Sequence, residues 1–284
     1  MPKSNPPVPA GNTLLASLPP TDREQVIGAC KQVELILGES VCKPGDLLRH
    51  VYFPADSYIS LITPIGDSES LEVGMVGNEG VFGITLLLDV KVSPLMGLVQ
   101  GGGQALRMTS RLFSRIAKES APFRQTLNRY MYVLTTQLAQ TAACNRFHLL
   151  DARMARWLLM TQDRAHSDTY RLTHQFLAYM LGMRRAGITE AAGRLQAKGL
   201  IRYARGELTV LNRKGLEAAS CPCYGALRTT YTQHLGKPPN GPAQRMRHKV
   251  FARYRRAGRS RGGIAGHLGH GRCPSVNGAN LVAR

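Results

Sequence analysis

Two short helical patterns meet at a glycine between Leu172 and Val210, and no other stretch of the chain constrains its fold as closely. Thr173 is placed to cap the first helix, and Gly182 closes that helix with the backbone freedom that a tight turn requires. Apolar residues recur at helical spacing on both sides of this glycine. They are Phe176, Leu177, Met180 and Leu181 in the first helix and Ile188, Ala191, Ala192 and Leu195 in the second. The spacing, with small Ala178 at the expected contact, predicts two helices that cross closely at a steep angle.

A hairpin pattern follows the second helix directly. Gly199 is placed to end the helix, and two β-prone runs at 200–203 and 208–210 flank a polar stretch at 204–207. A pair of helices joined by a glycine turn and followed by such a hairpin is typical of a winged helix-turn-helix domain.

The outward face of the second helix is basic and polar at the end where such a helix meets base edges in a major groove. Its residues are Arg184, Arg185, Thr189, Glu190 and Arg194. An arginine at this place can grip O6 and N7 of guanine in a fork. The alternative is that these side chains only solvate a small helical domain. Because two helices, a turn glycine and a basic hairpin occur together, we favour the interpretation that this helix binds double-stranded DNA and contacts its bases.

Together with other motifs, this pattern resembles the Crp/Fnr family of regulators over about residues 13–225. The other motifs lie at 51–54 (VYFP), 71–74 (LEVG), 77–80 (GNEG) and from 144–146 (CNR) through 155–160 (ARWLLM). The resemblance implies an α+β fold with an N-terminal β jelly-roll or barrel sensor domain, a long dimerisation helix and a C-terminal winged helix-turn-helix domain. The implied boundaries are the sensor at 13–118, the dimerisation helix at 119–150 and the DNA-binding domain at 151–225. Composition predicts a disordered, proline-rich lead at 1–12 and a basic, disordered tail at 226–284.

The resemblance also implies roles for single residues. Arg185 falls where the family reads guanine. Thr173 and Gln175 fall where the family contacts phosphates. We also expect Arg202 and Arg205 of the basic wing to hold phosphates. The chain departs from the family at Ala186, where many members have an acidic reader, and at Glu190, where some carry a further arginine. A known operator sequence therefore does not transfer to this chain.

Between 33 and 108 the pattern changes to short β-prone runs separated by Gly, Pro and Asp, as in a small barrel or jelly roll. The predicted strands lie at 33–37, 50–53, 58–63, 70–76, 97–99 and 104–108. By resemblance this segment is the sensor domain. Two interpretations remain for the apolar residues at 82–88 and for Val92, Leu95 and Met96: they line a pocket or they simply fill the barrel, and the second is favoured.

Cyclic-nucleotide sensors of this family hold the phosphate with a glycine, a glutamate close after it and an arginine–serine pair. In this chain Gly83 is followed by Ile84 and Thr85, and there is no arginine between Arg49 and Arg107. A phosphate buried without a bidentate cation would be poorly paired. The usual binding of cyclic AMP is therefore not expected, and the sensed ligand stays unidentified.

The longest helical pattern runs from 118 to 150, with Pro122 early, where a helix tolerates proline. Its apolar seam alternates spacings of four and three residues, which predicts packing against another helix. The predicted dimer interface is Leu127, Met131, Leu134, Leu138, Asn145 and His148. The alternative is packing against the barrel of the same subunit, but the length of the seam and polar Asn145 favour a homodimer. His148 is expected to form interface hydrogen bonds and not to ligate haem or metal, because no partner at ligand spacing accompanies it.

The six cysteines are scattered and lack the double pair of a zinc site. They are Cys30, Cys42, Cys144, Cys221, Cys223 and Cys273. The closely spaced N-terminal cysteines that hold an iron–sulfur cluster in some family members are missing, so no such cluster is expected. The one close pair, in Cys221-Pro222-Cys223, is more simply explained as two small apolar side chains than as a redox or metal site. No metal is predicted.

The formal net charge of +19 is concentrated at the C-terminus. Residues 237–284 contain eleven Lys or Arg and no Asp or Glu, which leaves 26 basic and 18 acidic residues, or +8, for the rest. A basic balance suits nucleic acid, and no apolar run has the length of a membrane span. We expect a cytoplasmic protein that does not bind membranes. The tail either adds salt-sensitive affinity for nucleic acid or is an accidental extension of the reading frame.

The sequence therefore predicts a homodimeric transcription regulator that binds double-stranded DNA, with RNA polymerase as a candidate further partner. Two alternatives remain: a non-specific nucleic-acid binder driven by the tail, and an enzyme built on the barrel. The enzyme is disfavoured because the His residues are spread out and the carboxylates show no ligand spacing.

Overall fold

A computed structural model describes residues 11–65 and 69–236 and has the predicted α+β class. Its N-terminal part consists of two antiparallel sheets. The elements are α1 (Thr13–Ala16), α2 (Pro20–Gly28), β1 (Lys31–Leu35), β2 (Ser40–Cys42), β3 (His50–Pro54), β4 (Tyr58–Ile65), β5 (Glu69–Val76), a 3-10 helix (Ile84–Leu88), β6 (Met96–Gly101) and β7 (Gly103–Thr109). One sheet has the strand order β1-β7-β3 and the other β2-β6-β4-β5. All six predicted strands are present. The structure also contains β2, which was not predicted.

The two sheets enclose an apolar core because their strands turn aliphatic and aromatic side chains inward. Val51 and Phe53 of β3 are fully buried, as are Ile59 of β4 and Val76 of β5. β2 has only three residues, too few to show an alternating pattern in the sequence, and it pairs with β6 through a register shift.

The predicted disordered lead is too long at its C-terminal end. Asn12 is buried and caps α1, where its Oδ1 accepts a hydrogen bond from the Leu15 amide at 3.0 Å. Its Nδ2 donates to the carbonyls of Pro54 and Gly80, both at 2.9 Å. Asn12 thus joins the chain start to two loops of the sheets; residues 1–10 of the predicted lead lie outside the described residues.

The long helical pattern divides into two helices, α3 (Ser110–Glu119) and α4 (Ala121–Phe147). Ser120 ends the first and caps the second, because its Oγ accepts from the Phe123 amide at 3.1 Å. α4 packs closely on the sheets: the Tyr130 side chain leaves no room for a Cβ on Gly80. The predicted dimerisation helix therefore starts at 121 and ends at 147.

The C-terminal part consists of α5 (Leu150–Ala165), β8 (Thr169–Arg171), α6 (His174–Leu181), α7 (Arg185–Ala197), β9 (Ile201–Ala204), β10 (Glu207–Val210), α8 (Arg213–Ala219) and α9 (Cys223–Leu235). The predicted wing is present as β9 and β10, and β8 adds a third strand along β10. This three-residue strand has no periodic signal of its own and forms because the β10 edge offers it hydrogen bonds.

The prediction that the chain is disordered from 226 is wrong for the first ten residues of that tail. α9 continues to Leu235 and lies along α4, with Leu227 and Tyr231 buried. Tyr224, Leu227 and Tyr231 are spaced three and four residues apart, so the sequence did contain a helical signal. Residues 237–284 of the predicted tail lie outside the described residues.

A buried polar network connects the sheets to three helices. Arg164 of α5 pairs with Glu79 at 2.7 Å and also donates to the Tyr231 hydroxyl of α9 at 3.4 Å. Gln137 of α4 donates to the same hydroxyl at 2.8 Å and accepts from the Met75 amide at 2.7 Å. α9 is thereby part of the folded body. Within residues 11–65 and 69–236, no helix combines the length and apolar composition needed to cross a bilayer.

Candidate nucleic-acid interface

The helix-turn-helix forms as its residue pattern predicts. The Thr173 hydroxyl caps α6 by accepting from the Phe176 amide at 3.0 Å, and Gly182 ends the helix in the left-handed conformation with φ 60°. The four inward residues predicted for α7 are all buried. Gly199 follows the helix with φ 67°, which places the chain at the start of β9.

All nine side chains predicted to bind DNA are exposed, and they lie on α6, α7 and the wing. Arg184 and Arg185 lie at the N-terminus of α7, and neither has an ion-pair partner in residues 11–65 and 69–236. Positive side chains at this end oppose the helix dipole and weaken the isolated fold slightly. The same helix end attracts phosphate. The two arginines are thus better placed for a polyanion than for the stability of the helix.

Arg194 differs from the other predicted readers because it is already bound within the chain. Its Nε and Nη2 donate to the two carboxylate oxygens of Asp151, both at 2.7 Å, and Glu190 lies 3.7 Å away. The hydrogen bond from Arg194 lowers the pKa of Asp151, which keeps the carboxylate charged. The fork fixes the second half of α7 to the start of α5, so Arg194 positions the helix on which Arg185 lies.

The wing is a tight two-residue hairpin. Arg205 and Gly206 both have positive φ, 52° and 78°, as a type I′ turn requires. The register pairs Glu207 with Ala204 and Thr209 with Arg202. The exposed Arg205 therefore occupies the tip of the wing and Arg202 its side.

One brace under this surface has no signal in the sequence. The His174 ring of α6 stacks on the Tyr203 ring of β9, with centroids 4.3 Å apart and planes 25° apart. His174 Nδ1 lies 3.0 Å from the Thr189 hydroxyl of α7, and the Tyr203 hydroxyl donates to the Leu172 carbonyl at 2.7 Å. Burial, and then the charge of Arg185, lower the pKa of His174. The brace joins both helices to the wing, and only the tertiary fold brings its residues together.

Comparison with known proteins agrees with this geometry. Residues 152–219 match the Crp-like helix-turn-helix domain family. The chain has a Crp/Fnr-type fold with a Crp-like helix-turn-helix domain. The resemblance predicted from the sequence motifs is thereby confirmed. No curated protein matches the sequence.

Several solved structures of Crp/Fnr-type regulators superimpose on the chain at low sequence identity. FixK2 from Bradyrhizobium japonicum is 13% identical, with a TM-score of 0.58 over 68% of this chain and 98% of that one. The c-di-GMP-responsive regulator CLP from Xanthomonas campestris is 15% identical, with a TM-score of 0.54 over 67% and 98%. A putative Crp/Fnr regulator from Eubacterium rectale is 18% identical, with a TM-score of 0.57 over 72% and 96%. These identities establish the fold.

In the N-terminal part of this Crp/Fnr-type fold, the segment after Gly83 contributes to the core. Gly83 has φ 91° and starts the 3-10 helix, from which Ile84 and Leu86 are buried. Phe82 packs so closely over Gly97 that a Cβ there would lie 2.5 Å from its ring. The apolar residues considered for a pocket fall into two groups. Phe82, Ile84 and Leu86 are buried and fill the core, while Leu88 and Val92 are exposed to solvent.

The predicted dimer residues mostly face their own chain. Leu127 and Leu134 belong to the core of the N-terminal part, and Met131 packs against it. Leu138 lies beside Gly74, and Asn145 lines a small cavity with Arg156 and Trp157. Leu127 and Leu134 are therefore not available to a second copy in this structure, because the barrel of the same chain covers them.

The expectation that His148 has no potential co-ligand is wrong, because the fold brings three cysteines close to it. Its Nδ1 lies 3.5 Å from Cys223 Sγ, and Cys144 Sγ lies 3.4 Å from Cys221 Sγ. The ligand atoms of all four residues lie within 4.8 Å of one another. Since 73 residues separate His148 from Cys221, no motif in the sequence reveals this cluster.

Proposed function

We propose that the protein is a homodimeric transcription regulator that reads double-stranded DNA with α7. The observation that carries the proposal is the pair Arg184 and Arg185, exposed and without ion-pair partners in the described ranges, at the N-terminus of a helix that is fixed from both sides. One brace is the Arg194–Asp151 fork and the other is the contact from His174 to Thr189. Charges held this rigidly at a helix end suit the edge of a groove.

Base reading and phosphate binding are assigned to different side chains. Arg185 is proposed to read guanine, with Thr189 and Glu190 one turn further along the same face. The phosphate contacts are proposed for Thr173, Gln175, Arg184, Arg202 and Arg205. Although the Thr173 oxygen accepts a hydrogen bond as a helix cap, its proton stays free to donate to a phosphate oxygen.

The exposed face of α4 is proposed as the dimer surface, in place of the buried part of the predicted seam. Six exposed residues of α4 follow one another at spacings of four and three: Asn128, Tyr132, Thr135, Ala139, Ala142 and Arg146. This is the repeat of two helices that pack side by side, and the small residues in its middle permit a close approach. A two-fold dimer would present two copies of α7 about one DNA turn apart.

A signal is proposed to act on the contact between β5 and α6. The two elements pack directly, and a Cβ on Gly182 would lie 3.0 Å from Leu71. Beside this contact Trp157 of α5 donates to Glu72 of β5 at 2.9 Å. A ligand or reaction that favours one packing of β5 over another would shift the orientation of α6 and α7.

The test is binding to duplexes selected by the wild-type protein from a random pool, compared with scrambled duplexes at physiological salt. Arg185→Ala is expected to cost about 1–3 kcal/mol on the selected duplex and little on the scrambled one. Arg205→Gly removes a proposed phosphate contact, and glycine adopts the positive φ of this position without strain. We therefore expect weaker binding to both duplexes and an unchanged ratio of the two affinities. Arg111→Ala removes the same charge from an exposed site on α3 and serves as the matched control.

A chain that ends at Gly236 separates this proposal from non-specific binding by the tail. If the shortened chain keeps its preference for the selected duplex, the helix-turn-helix is the reader. Loss of all binding on shortening, or equal loss on both duplexes in Arg185→Ala, would contradict the proposal and favour the tail.

A further inference from the structure

Four side chains with metal-binding atoms converge where α4 ends and α9 begins. Cys144 and His148 lie at the end of α4, and Cys221 and Cys223 lie on either side of Pro222 at the start of α9. The three thiols are buried, while His148 is partly exposed and offers a way in from solvent. The four residues come from two parts of the chain that only the packing of α9 on α4 brings together.

The distances within the cluster fit a single tetrahedral ion. Zinc binds thiolate sulfur at about 2.3 Å and imidazole nitrogen at about 2.0–2.1 Å, so neighbouring ligand atoms lie about 3.5–3.8 Å apart. The Sγ atoms of Cys144 and Cys221 are 3.4 Å apart, and Cys223 Sγ is 3.5 Å from His148 Nδ1. No ligand atom is more than 4.8 Å from another, which is too compact for the ligands of a cluster with several irons.

Two buried arginines next to the cluster have no carboxylate partner. Arg153 and Arg156 are 8% and 5% exposed, and neither pairs with a carboxylate within residues 11–65 and 69–236. The Nε atom of each is buried without a hydrogen bond. Buried charges are normally paired, so an anion is expected close by. Three thiolates, one Zn²⁺ and a neutral imidazole have a net charge of −1. A bound Zn²⁺ would therefore leave a negative charge next to the two arginines.

The surroundings also hold the potential ligands in place. Gln140 Nε2 donates to Cys223 Sγ at 3.0 Å, and the Cys221 amide donates to the Ala152 carbonyl at 3.4 Å. Pro222 has φ −59° and fixes the turn between the two cysteines. Hydrogen bonds of this kind orient the ligands of metal sites and tune their basicity.

We propose that Cys144, His148, Cys221 and Cys223 form a mononuclear Zn²⁺ site. The ion would join the end of α4 to the start of α9, one residue from the turn at Leu149 where α4 passes into α5. This assignment does not depend on the proposed DNA binding, because its ligands lie outside the DNA-facing surface.

The test uses the purified full-length chain in the reduced state, with metal content measured by mass spectrometry and Co²⁺ used as a spectroscopic probe. We expect one Zn²⁺ per chain, and near-ultraviolet thiolate-to-cobalt bands that reach saturation at one Co²⁺ per chain and are displaced by Zn²⁺. Cys144→Ser is expected to abolish tight binding. Cys30→Ser and Cys42→Ser remove thiols outside the cluster and should leave the stoichiometry and the bands unchanged.

His148→Ala keeps the test decisive if Cys144→Ser fails to fold, because His148 is partly exposed. This variant should keep the thiolate bands, shift the visible cobalt bands and bind the ion more weakly. Wild-type protein stripped with a chelator should melt at a lower temperature and recover on addition of Zn²⁺. Saturation at less than one ion per chain, equal binding by Cys144→Ser and Cys30→Ser, or a Cys144–Cys221 disulfide without metal in freshly purified protein would overturn the proposal.

Discussion

At the scale of single residues, Glu72 is the most unusual group at the junction between the N-terminal sheets and the helix-turn-helix part. Its side chain is buried, and Trp157 Nε1 donates to Oε1 at 2.9 Å, while Oε2 has no hydrogen-bond partner among the described residues. Burial raises the pKa of Glu72 to about 7, against the nearby Ser60 hydroxyl, the hydrogen bond from Trp157 and the charge of Arg156. The carboxyl therefore titrates in the folded protein near neutral pH.

This raised pKa predicts that part of the stability is lost as the pH rises. Below about 4.5, the ordinary value, Glu72 is protonated in both states and carries no penalty. Between that value and about 7 the unfolded state ionises more readily, so the free energy of unfolding falls, by roughly 3 kcal/mol in total. Glu72→Gln should remove this loss, as measured by urea unfolding at about pH 5 and about pH 8.

Glu190→Gln is the matched control for that measurement, because Glu190 is exposed and should leave the pH dependence as it is in the wild type. An unchanged pH dependence in Glu72→Gln would mean that water or a shift of β5 solvates the carboxylate in the folded state.

At the scale of elements, two glycines at α7 have opposite roles although they are only six residues apart. Gly193 lies inside the helix on its exposed side, and a Cβ there would meet no heavy atom within 4 Å. Gly199 follows the helix with φ 67°, where other residues are strained. Only Gly199 is required by the backbone.

Gly193→Ala is expected to raise the free energy of unfolding by about 0.5–1 kcal/mol, because alanine loses less conformational entropy in a helix. Gly199→Ala should lower it by about 1–2 kcal/mol, because alanine in the left-handed region is strained. Chemical denaturation of the two variants beside the wild type checks the pair. The same sign for both would show that α7 ends differently from the geometry described.

At the scale of the whole molecule, α9 holds the two halves of the chain together. The Tyr231 hydroxyl accepts from Gln137 of α4 and from Arg164 of α5, and Arg164 also pairs with Glu79 next to the sheets. The network lies in the interior, so each of its polar atoms depends on the others for hydrogen bonding.

Tyr231→Phe is therefore expected to lower the free energy of unfolding by about 1–3 kcal/mol, since buried donors on Gln137 and Arg164 lose their shared acceptor. Tyr179→Phe removes a hydroxyl from an exposed ring of α6 and should change stability little. Equal stability of the two variants in urea unfolding would imply that water or a neighbouring carbonyl replaces the hydroxyl.

The sequence determined those elements whose signals are local. The helix-turn-helix follows from apolar spacing, a threonine cap and two glycines, and the six predicted strands follow from short alternating runs, because neighbouring residues decide both kinds of pattern. The fold class and the family resemblance could be predicted for the same reason. The exposure of Arg184 and Arg185 followed from their place on the outer face of α7.

Only the tertiary structure decided which part of the molecule each apolar face packs against. The seam of α4 predicts a packed face but not its partner, and in the structure the barrel of the same chain covers Leu127 and Leu134. Arg194 is bound to Asp151, 43 residues away in the chain, and the Cys144–Cys221 contact spans 77 residues. Such pairings depend on how whole elements pack, because a residue's own neighbours carry no information about a partner that only folding brings within reach.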